Sequence, residues 1–185
     1  VAFARTGEGV IYGWGNNKNG IIATGKVDIH GEITVPLRCA YPLPIVKMAF
    51  DDDKSIALTT SGFLFRMGQF NWISAGRDDN SVSPSLTPKL VEPHGHRFID
   101  VCLFRNRILL ITREGQLMIF ADDNLAHNGL LVERSSSIPT LIHTVAEVSN
   151  VRRVFAGEQA SFALTREGDV YSWGPTTIQD EMELI

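Results

Sequence analysis

The sequence predicts an all-β protein, a partial β-propeller of about 3.5 blades built on a repeat of 53 residues. Three observations support this prediction. A Thr-x-x-Gly motif occurs four times, residues that favour strands flank each copy, and the spacing between copies does not change. The four glycines are Gly9, Gly62, Gly115 and Gly168. A fixed period of this kind is typical of an array of similar supersecondary units.

The Thr-x-x-Gly motif is predicted to form the turn of a hairpin. Residues 55–59 alternate among types that favour strands, and the strand resumes at residues 64–67 after the turn. Glycine adopts a positive φ without steric cost, so it suits the point where the chain reverses. The threonines that open the motif are Thr6, Thr59, Thr112 and Thr165.

The strand after each turn carries apolar side chains on both faces. Its first position is aliphatic, and two later positions are bulky. The aliphatic residues are Ile11, Leu64, Leu117 and Val170, and the bulky residues are Tyr12, Phe65, Met118, Tyr171, Trp14, Met67, Phe120 and Trp173. A strand buried on both faces needs a neighbouring sheet on each side. Small sheets stacked face to face around an axis provide that arrangement.

Each repeat also contains a strand upstream of the hairpin and room for a fourth strand. The upstream strands align at Ile45, Phe98 and Val151. Residues 16–44 leave space for an outer strand, which we place within residues 27–35 with its exit marked by Pro36, Pro42 and Pro44. Residues 69–88 are polar, and we predict a surface loop there. Four-stranded sheets that repeat radially indicate a propeller, whereas a β-sandwich does not account for the constant period.

The fourth copy carries the most complete motif. Residues 151–174 contain Val-x-x-Val-x-Ala-Gly, then Ala-Leu-Thr, then Gly-x-Val-Tyr-x-Trp-Gly. This segment resembles the repeat of the regulator of chromosome condensation family. Residues 14–25 are similar to another stretch of that repeat, with Ile21-Ile22-Ala23 in place of its Gln-Leu-Gly. The middle copies diverge more, at Met67, Phe120 and Ala121. The resemblance covers essentially the whole chain and implies a seven-bladed propeller.

The predicted organisation leaves half of such a ring unaccounted for. Residues 1–174 hold the repeats, with a partial blade at residues 1–15 and further repeats ending near residues 68, 121 and 174, and residues 175–185 form a tail or docking segment. Because the chain begins at Val1 inside a repeat, we expect a fragment or a processed chain. The missing half could come from the rest of a longer polypeptide, which we favour, from a second copy, or from a partner chain.

The composition narrows the classes of partner. The 185 residues carry a formal net charge of −4, whereas direct nucleic-acid binding needs a basic face. No apolar run reaches the roughly 20 residues that a membrane helix needs, so we predict no membrane partner. Cys39 and Cys102 are the only cysteines, and no Asn-x-Ser/Thr site occurs. These features favour an intracellular location, cytoplasmic or nuclear.

No catalytic constellation is apparent. His94-Gly95-His96 follows a proline and lacks further ligands at suitable spacing, so it is predicted to be a solvated turn rather than a metal site. Gly7-x-Gly9 lacks the third glycine and the strand-turn-helix context of a nucleotide-binding fingerprint. We therefore predict that the chain is not an enzyme and has no cofactor.

The turns between the first and second strands of each repeat are the predicted binding sites. In the family this turn has the pattern Gly-x-x-His-Ser, and these turns gather on one face of the ring. Here the histidine position is occupied by Lys54, Arg107 and Ala160. Loops on a rigid scaffold are where binding residues concentrate. The candidate partner-binding residues are Asp51, Asp52, Asp53, Lys54, Arg105, Asn106, Arg107, Glu158 and Gln159.

The predicted function is that of a non-catalytic protein-interaction scaffold that acts through these turns, either alone or as a subunit of a complex. The resemblance also implies an alternative, because the founding member of the family is a nucleotide-exchange factor for the small GTPase Ran. Exchange of that type needs acidic and polar side chains and a wedge across one face of the ring. Residues 51–53 and Glu158 supply acidic groups, but the three histidine positions carry no histidine.

Overall fold

The computed structural model describes residues 1–25, 31–70, 85–91, 95–104, 107–121, 141–145, 148–157, 160–174 and 183–184. The described chain forms four small antiparallel sheets and no helix. This confirms the predicted all-β class.

The strands follow the chain order in every sheet. Sheet 1 contains β1 (Ala2–Arg5), β2 (Ile11–Asn16) and β3 (Glu32–Arg38). Sheet 2 contains β4 (Ile45–Phe50), β5 (Lys54–Thr59), β6 (Leu64–Gly68) and β7 (Ser85–Val91). Sheet 3 contains β8 (Phe98–Phe104), β9 (Arg107–Thr112), β10 (Leu117–Ala121) and β11 (Leu141–Val145). Sheet 4 contains β12 (Val151–Ala156), β13 (Ser161–Thr165), β14 (Val170–Trp173) and β15 (Glu183–Leu184).

The described parts of the outer strands differ from their predicted positions, whereas residues 27–30, 71–84 and 175–182 of those predictions lie outside the described residues. β3 begins at Glu32 and continues through Pro36, so this proline lies inside the strand and does not mark its exit. β7 occupies residues 85–91 and contains Pro88, so the predicted surface loop is too long at its C-terminal end. Proline lacks an N–H donor but is tolerated in an edge strand, whose outer side needs no ladder hydrogen bonds. Residues 183–184 pair with β14 and add an edge strand within the segment predicted as a tail.

All four Thr-x-x-Gly turns share one hydrogen-bond pattern. The glycine N–H donates to the threonine carbonyl at 3.0 Å in the first three copies and 3.4 Å in the fourth. The threonine Oγ1 accepts from the N–H four residues further on, at distances between 2.9 and 3.3 Å. The glycines have φ values of 82°, 88°, 82° and 103°. The recurring threonine therefore closes the turn with its side chain.

Two of these glycines also contact the first strand of the following sheet. Ile45 N–H donates to the Gly9 carbonyl at 2.8 Å, and Val151 N–H donates to the Gly115 carbonyl at 2.9 Å. A Cβ atom added at Gly9 would lie 2.9 Å from the Ile45 backbone, and one at Gly115 would lie 3.1 Å from the Asn150 Cα. These positions therefore require glycine for their backbone conformation and for the close approach of another strand.

A β-bulge recurs at one position of the repeat. The register between the first and second strands shifts between Ile45 and Lys47 in sheet 2, and at the equivalent places in sheets 3 and 4. The extra residues are Val46, Ile99 and Arg152, all of them exposed. A bulge adds one unpaired residue and bends the strand.

The sheets divide between two compact units, with sheets 1 and 2 in the first and sheets 3 and 4 in the second. In the second unit, sheet 3 presents a receiving face to a covering face of sheet 4. The receiving face consists of Leu109, Ile111, Leu117 and Ile119. The covering face consists of Val151, Val154, Ala163 and Trp173. In the first unit, the residues of sheet 2 at the covering positions are Ile45, Met48, Ala57 and Met67, and they pack in the core of that unit.

A loop of sheet 1 completes the core of the first unit. Ile21 and Ile22 are buried, and the Asn17 Oδ1 accepts from the Ile22 N–H at 2.9 Å. The Ser55 hydroxyl of sheet 2 donates to the Ile21 carbonyl at 3.1 Å. Ala23 has a φ of 53°, at the position where the family repeat has glycine. The apolar residues that replace the family's Gln-Leu-Gly in this loop therefore pack in the core between the two sheets. Ala23 adopts a strained backbone conformation there.

We predict that Gly115→Ala destabilises the protein more than Gly168→Ala. Both glycines have positive φ, so both substitutions introduce about 1–2 kcal/mol of backbone strain. At Gly115 the new Cβ also meets the Asn150 backbone, whereas at Gly168 no atom lies within 4 Å. Urea unfolding of both variants measures the difference. Equal losses would show that the close approach at Gly115 contributes nothing.

We predict that stability falls at alkaline pH because of Cys39. Burial raises the pKa of this thiol from 9.0 to about 12. The unfolded thiol therefore ionises first, so stability is intact below pH 9 and falls as the pH rises towards 12, by up to ~1.4 kcal/mol per pH unit. Burial also raises the pKa of Tyr41, which acts in the same direction. Urea unfolding between pH 8 and pH 11 should show a shallower fall for Cys39→Ala. An identical slope in both proteins would contradict the assignment to Cys39.

Candidate partner-binding turns

The turn between β4 and β5 is the only one of the three candidate turns that the structure describes throughout. It contains Asp51, Asp52, Asp53 and Lys54. Of the other candidates, Arg107 is described, whereas Arg105, Asn106, Glu158 and Gln159 lie outside the described residues.

Hydrogen bonds fix the shape of the β4–β5 turn. The Asp51 N–H donates to the Lys54 carbonyl at 2.9 Å and closes the turn. The Asp51 Oδ1 accepts from the Asp52 N–H at 2.8 Å. The Asp53 carbonyl accepts from the N–H of Gln69, at the end of the neighbouring hairpin strand, at 2.9 Å. Two of the three aspartates therefore hold the turn in place through a side chain or a carbonyl.

Lys54 is buried and forms an ion pair within the turn. Its Nζ lies 2.6 Å from the Asp53 Oδ1, and its side chain is 6% exposed. Burial costs this ammonium group its hydration, and attraction to the paired carboxylate offsets part of that cost. The charge of Lys54 is therefore engaged within the turn and does not face the solvent.

Close packing against Gly68 adds to the rigidity of this turn. Gly68 has a φ of 85°, and a Cβ atom there would collide with the Asp53 carbonyl oxygen and lie 2.7 Å from the Ile21 Cγ2. The sequence signal for this contact is the glycine that ends the strand after the Thr-x-x-Gly turn in most copies of the repeat. Gly68 of the same sheet therefore lies close to both the turn and the loop of sheet 1.

Asp52 is the exposed residue at the tip of the turn. Among the described residues, its carboxylate has neither a hydrogen bond nor an ion pair, while its N–H is bonded to Asp51. Phe50, which precedes the turn, is 44% exposed. The Phe50 ring lies edge-on to the Phe3 ring, with a centroid distance of 4.9 Å. The exposed Asp52 carboxylate therefore lies close in sequence to the Phe50 ring, which is in contact with the Phe3 ring.

In the second unit, Arg107 links two candidate turns. It is buried at the start of β9, and its Nη2 donates to the Gly157 carbonyl at 3.3 Å. The Gly157 N–H donates to the Ala160 carbonyl at 2.9 Å, which closes the β12–β13 turn. Arg107, which occupies the position where the family has histidine, therefore forms a hydrogen bond within the chain.

The sequence reasoning did not identify Asp100 as a structural residue. Its carboxylate is buried, and the Oδ2 accepts from the Val154 N–H at 3.1 Å, which joins β8 to β12. The equivalent positions of the repeat carry the basic residues Lys47 and Arg153. An acidic residue at this one position was therefore the sequence signal that could have identified Asp100.

Within the described ranges, no group of three or more His, Cys, Asp and Glu side chains could hold a metal ion. His94 of the sequence motif lies outside them. Across the same part of the chain, no helix is long and apolar enough to span a bilayer.

Residues 151–174, which form β12–β14 and their turns, match the family model of the regulator of chromosome condensation (RCC1) repeat. This segment is similar to an RCC1 repeat. The match covers the copy in which the sequence motif is most complete, and it confirms the family resemblance. The matched residues form β12, β13 and β14, which are consecutive strands of sheet 4, so the match does not cross a sheet boundary.

The human E3 ubiquitin-protein ligase HERC2 is 29% identical to this chain over 188 aligned residues. The alignment covers 94% of this chain and 4% of HERC2. The similarity therefore extends well beyond the single matched repeat, but the chain spans only a small part of that relative.

Solved structures of two proteins resemble the whole fold. The crystal structure of human WBSCR16 has a TM-score of 0.77 and 20% identity, and the match covers 99% of this chain and 49% of WBSCR16. Prp20p of Saccharomyces cerevisiae, a protein with described binding to Gsp1p and histones, has a TM-score of 0.69 and 19% identity. That match covers 93% of this chain and 42% of Prp20p. These likenesses show the fold alone, and they confirm a partial propeller.

Proposed function

We propose that this chain is a non-catalytic scaffold that binds a protein partner through its strand-connecting turns. The observation that carries the proposal is the β4–β5 turn. Three hydrogen bonds of its backbone and one ion pair between side chains hold the turn, and yet the Asp52 carboxylate at its tip is exposed. A turn whose backbone is fixed in this way loses little backbone freedom on binding, which favours affinity.

The chemistry of the turn favours a partner with a basic surface. Exposed carboxylates raise the association rate and select the orientation of a positively charged partner more than they add affinity. The neighbouring exposed ring of Phe50 would supply apolar contact area. Prp20p, which shares this fold, is described as binding Gsp1p and histones, and this supports a protein as the partner class. A cytoplasmic or nuclear location stays a prediction.

We predict that Asp52→Lys weakens the binding of a specific partner by about tenfold, which corresponds to ~1.4 kcal/mol. The matched control is Asp169→Lys, because Asp169 is an exposed aspartate in the β13–β14 turn, outside the candidate turns. Quantitative affinity capture with the wild-type chain and both variants measures the effect. Partners that are retained equally by all three proteins would refute a role for the β4–β5 turn.

The second candidate function is nucleotide exchange on a small Ran-like GTPase. The observation that favours it is the exposed acidic group of Asp52, since exchange in this family uses acidic side chains. Lys54 and Arg107, at the family's histidine positions, are engaged in contacts within the chain, which favours the scaffold instead.

Release of a fluorescent guanine nucleotide from Ran distinguishes the two functions. As a scaffold, the chain should leave the release rate unchanged at concentrations where partner capture is saturated. Acceleration of release that is lost in Asp52→Lys but kept in Asp169→Lys would establish the exchange function and overturn the non-catalytic proposal.

A further inference from the structure

Phe50 places an exposed aromatic ring at a repeat position that sheets 3 and 4 fill with aliphatic residues. The ring is 44% exposed, whereas Leu103, at the same position in sheet 3, is 6% exposed. Sheet 4 carries Ala156 there. The Phe3 ring meets the Phe50 ring at an interplanar angle of 62°, with their centroids 4.9 Å apart. A ring at that angle covers at most one face of its neighbour, so Phe3 leaves at least one face of Phe50 open.

The Asp52 carboxylate is held a short distance from that ring. Two residues of fully extended chain span at most about 7 Å, so the Cα atoms of Phe50 and Asp52 are no further apart than this. Phe50 is the last residue of β4, and the turn that follows is closed by the hydrogen bond from the Asp51 N–H to the Lys54 carbonyl. The fold therefore sets the spacing, and one long cationic side chain can contact the carboxylate and the ring together.

A carboxylate beside an open aromatic face matches the guanidinium group of arginine. That group is planar, donates two parallel hydrogen bonds to a carboxylate, and stacks on aromatic rings. The ammonium group of lysine is compact and strongly hydrated, so it gains less from the ring. The lysine of the turn does not occupy this position, because the Lys54 Nζ pairs with the Asp53 Oδ1 at 2.6 Å. The chemistry therefore favours an arginine from another molecule.

We propose that Asp52 and Phe50 form a binding site for an arginine side chain on the surface of a partner protein. The Asp52 carboxylate accepts hydrogen bonds from the guanidinium group, and the open face of Phe50 stacks on its plane. The inference rests on the proposed scaffold function, because it names the group that the β4–β5 turn binds. Both contacts are exposed to solvent, so an isolated arginine binds weakly, and a whole partner gains affinity from further contacts.

A nuclear magnetic resonance titration with N-acetyl-arginine amide tests the site. The amide signals of residues 50–54 should shift in a saturable way at millimolar concentrations of this probe. N-acetyl-lysine amide carries the same charge and therefore controls for non-specific electrostatic attraction. The lysine probe should bind at least about threefold more weakly, because its ammonium group makes a poorer contact with the exposed ring.

Two conservative substitutions separate the carboxylate from the ring. Asp52→Asn removes the charge at nearly constant size, and Phe50→Leu introduces the residue type that sheet 3 has at this position. Each should weaken binding of the arginine probe by about threefold, and Phe50→Leu should also remove the preference for arginine over lysine. The matched controls are Asp169→Asn and Phe155→Leu, because both residues are exposed and belong to the second unit. Both controls should bind the arginine probe like the wild type.

The arginine site and the scaffold function can fail separately. The site is excluded if no signal of residues 50–54 shifts saturably, if the lysine probe binds as tightly as the arginine probe, or if Asp52→Asn and Phe50→Leu leave the affinity unchanged. The scaffold function fails if Asp52→Lys captures partners like the wild type. Partners that are lost with Asp52→Lys but retained with Phe50→Leu would contradict the arginine site and leave the scaffold function intact.

Discussion

A backbone contact between the hairpin turn of one sheet and the first strand of the following sheet underlies the rest of this structure. The carbonyls of Gly9 and Gly115 accept hydrogen bonds from Ile45 and Val151, and the glycines leave no room for a side chain at those points. This contact fixes where the covering face of one sheet meets the receiving face of its neighbour.

Charged residues at the candidate turns and in the neighbouring strand β8 serve two different purposes. Lys54 pairs with Asp53, Arg107 bonds to the Gly157 carbonyl, and Asp100 accepts a hydrogen bond from Val154. Each of these groups is buried, and breaking such a contact leaves an uncompensated charge in a region of low polarity. Asp52 alone among the described candidates has an exposed and uncommitted carboxylate. The internal contacts therefore engage the buried charges within the chain, whereas the Asp52 carboxylate is exposed to solvent.

The repeat made the fold predictable, because equal spacing of turn glycines and apolar strands constrains the architecture at every copy together. The same reasoning failed at the outer strands, where Pro36 and Pro88 indicate loops by composition, although an edge strand accepts proline. The candidate turns were located from sequence, but the burial of Lys54 was not foreseen. Whether a lysine in a turn faces water or a neighbouring carboxylate depends on packing against distant residues, here Gly68 and Ile21, which local sequence does not show.

The bulge in the first strand has a consequence for how such a chain can diversify. It adds one residue per repeat whose side chain lies outside both the ladder and the core, and the three examples are a valine, an isoleucine and an arginine. A change at Val46, Ile99 or Arg152 therefore alters surface chemistry without moving the strands on either side. At such positions the residue type can differ from one copy of the repeat to the next while the geometry of the strands stays the same.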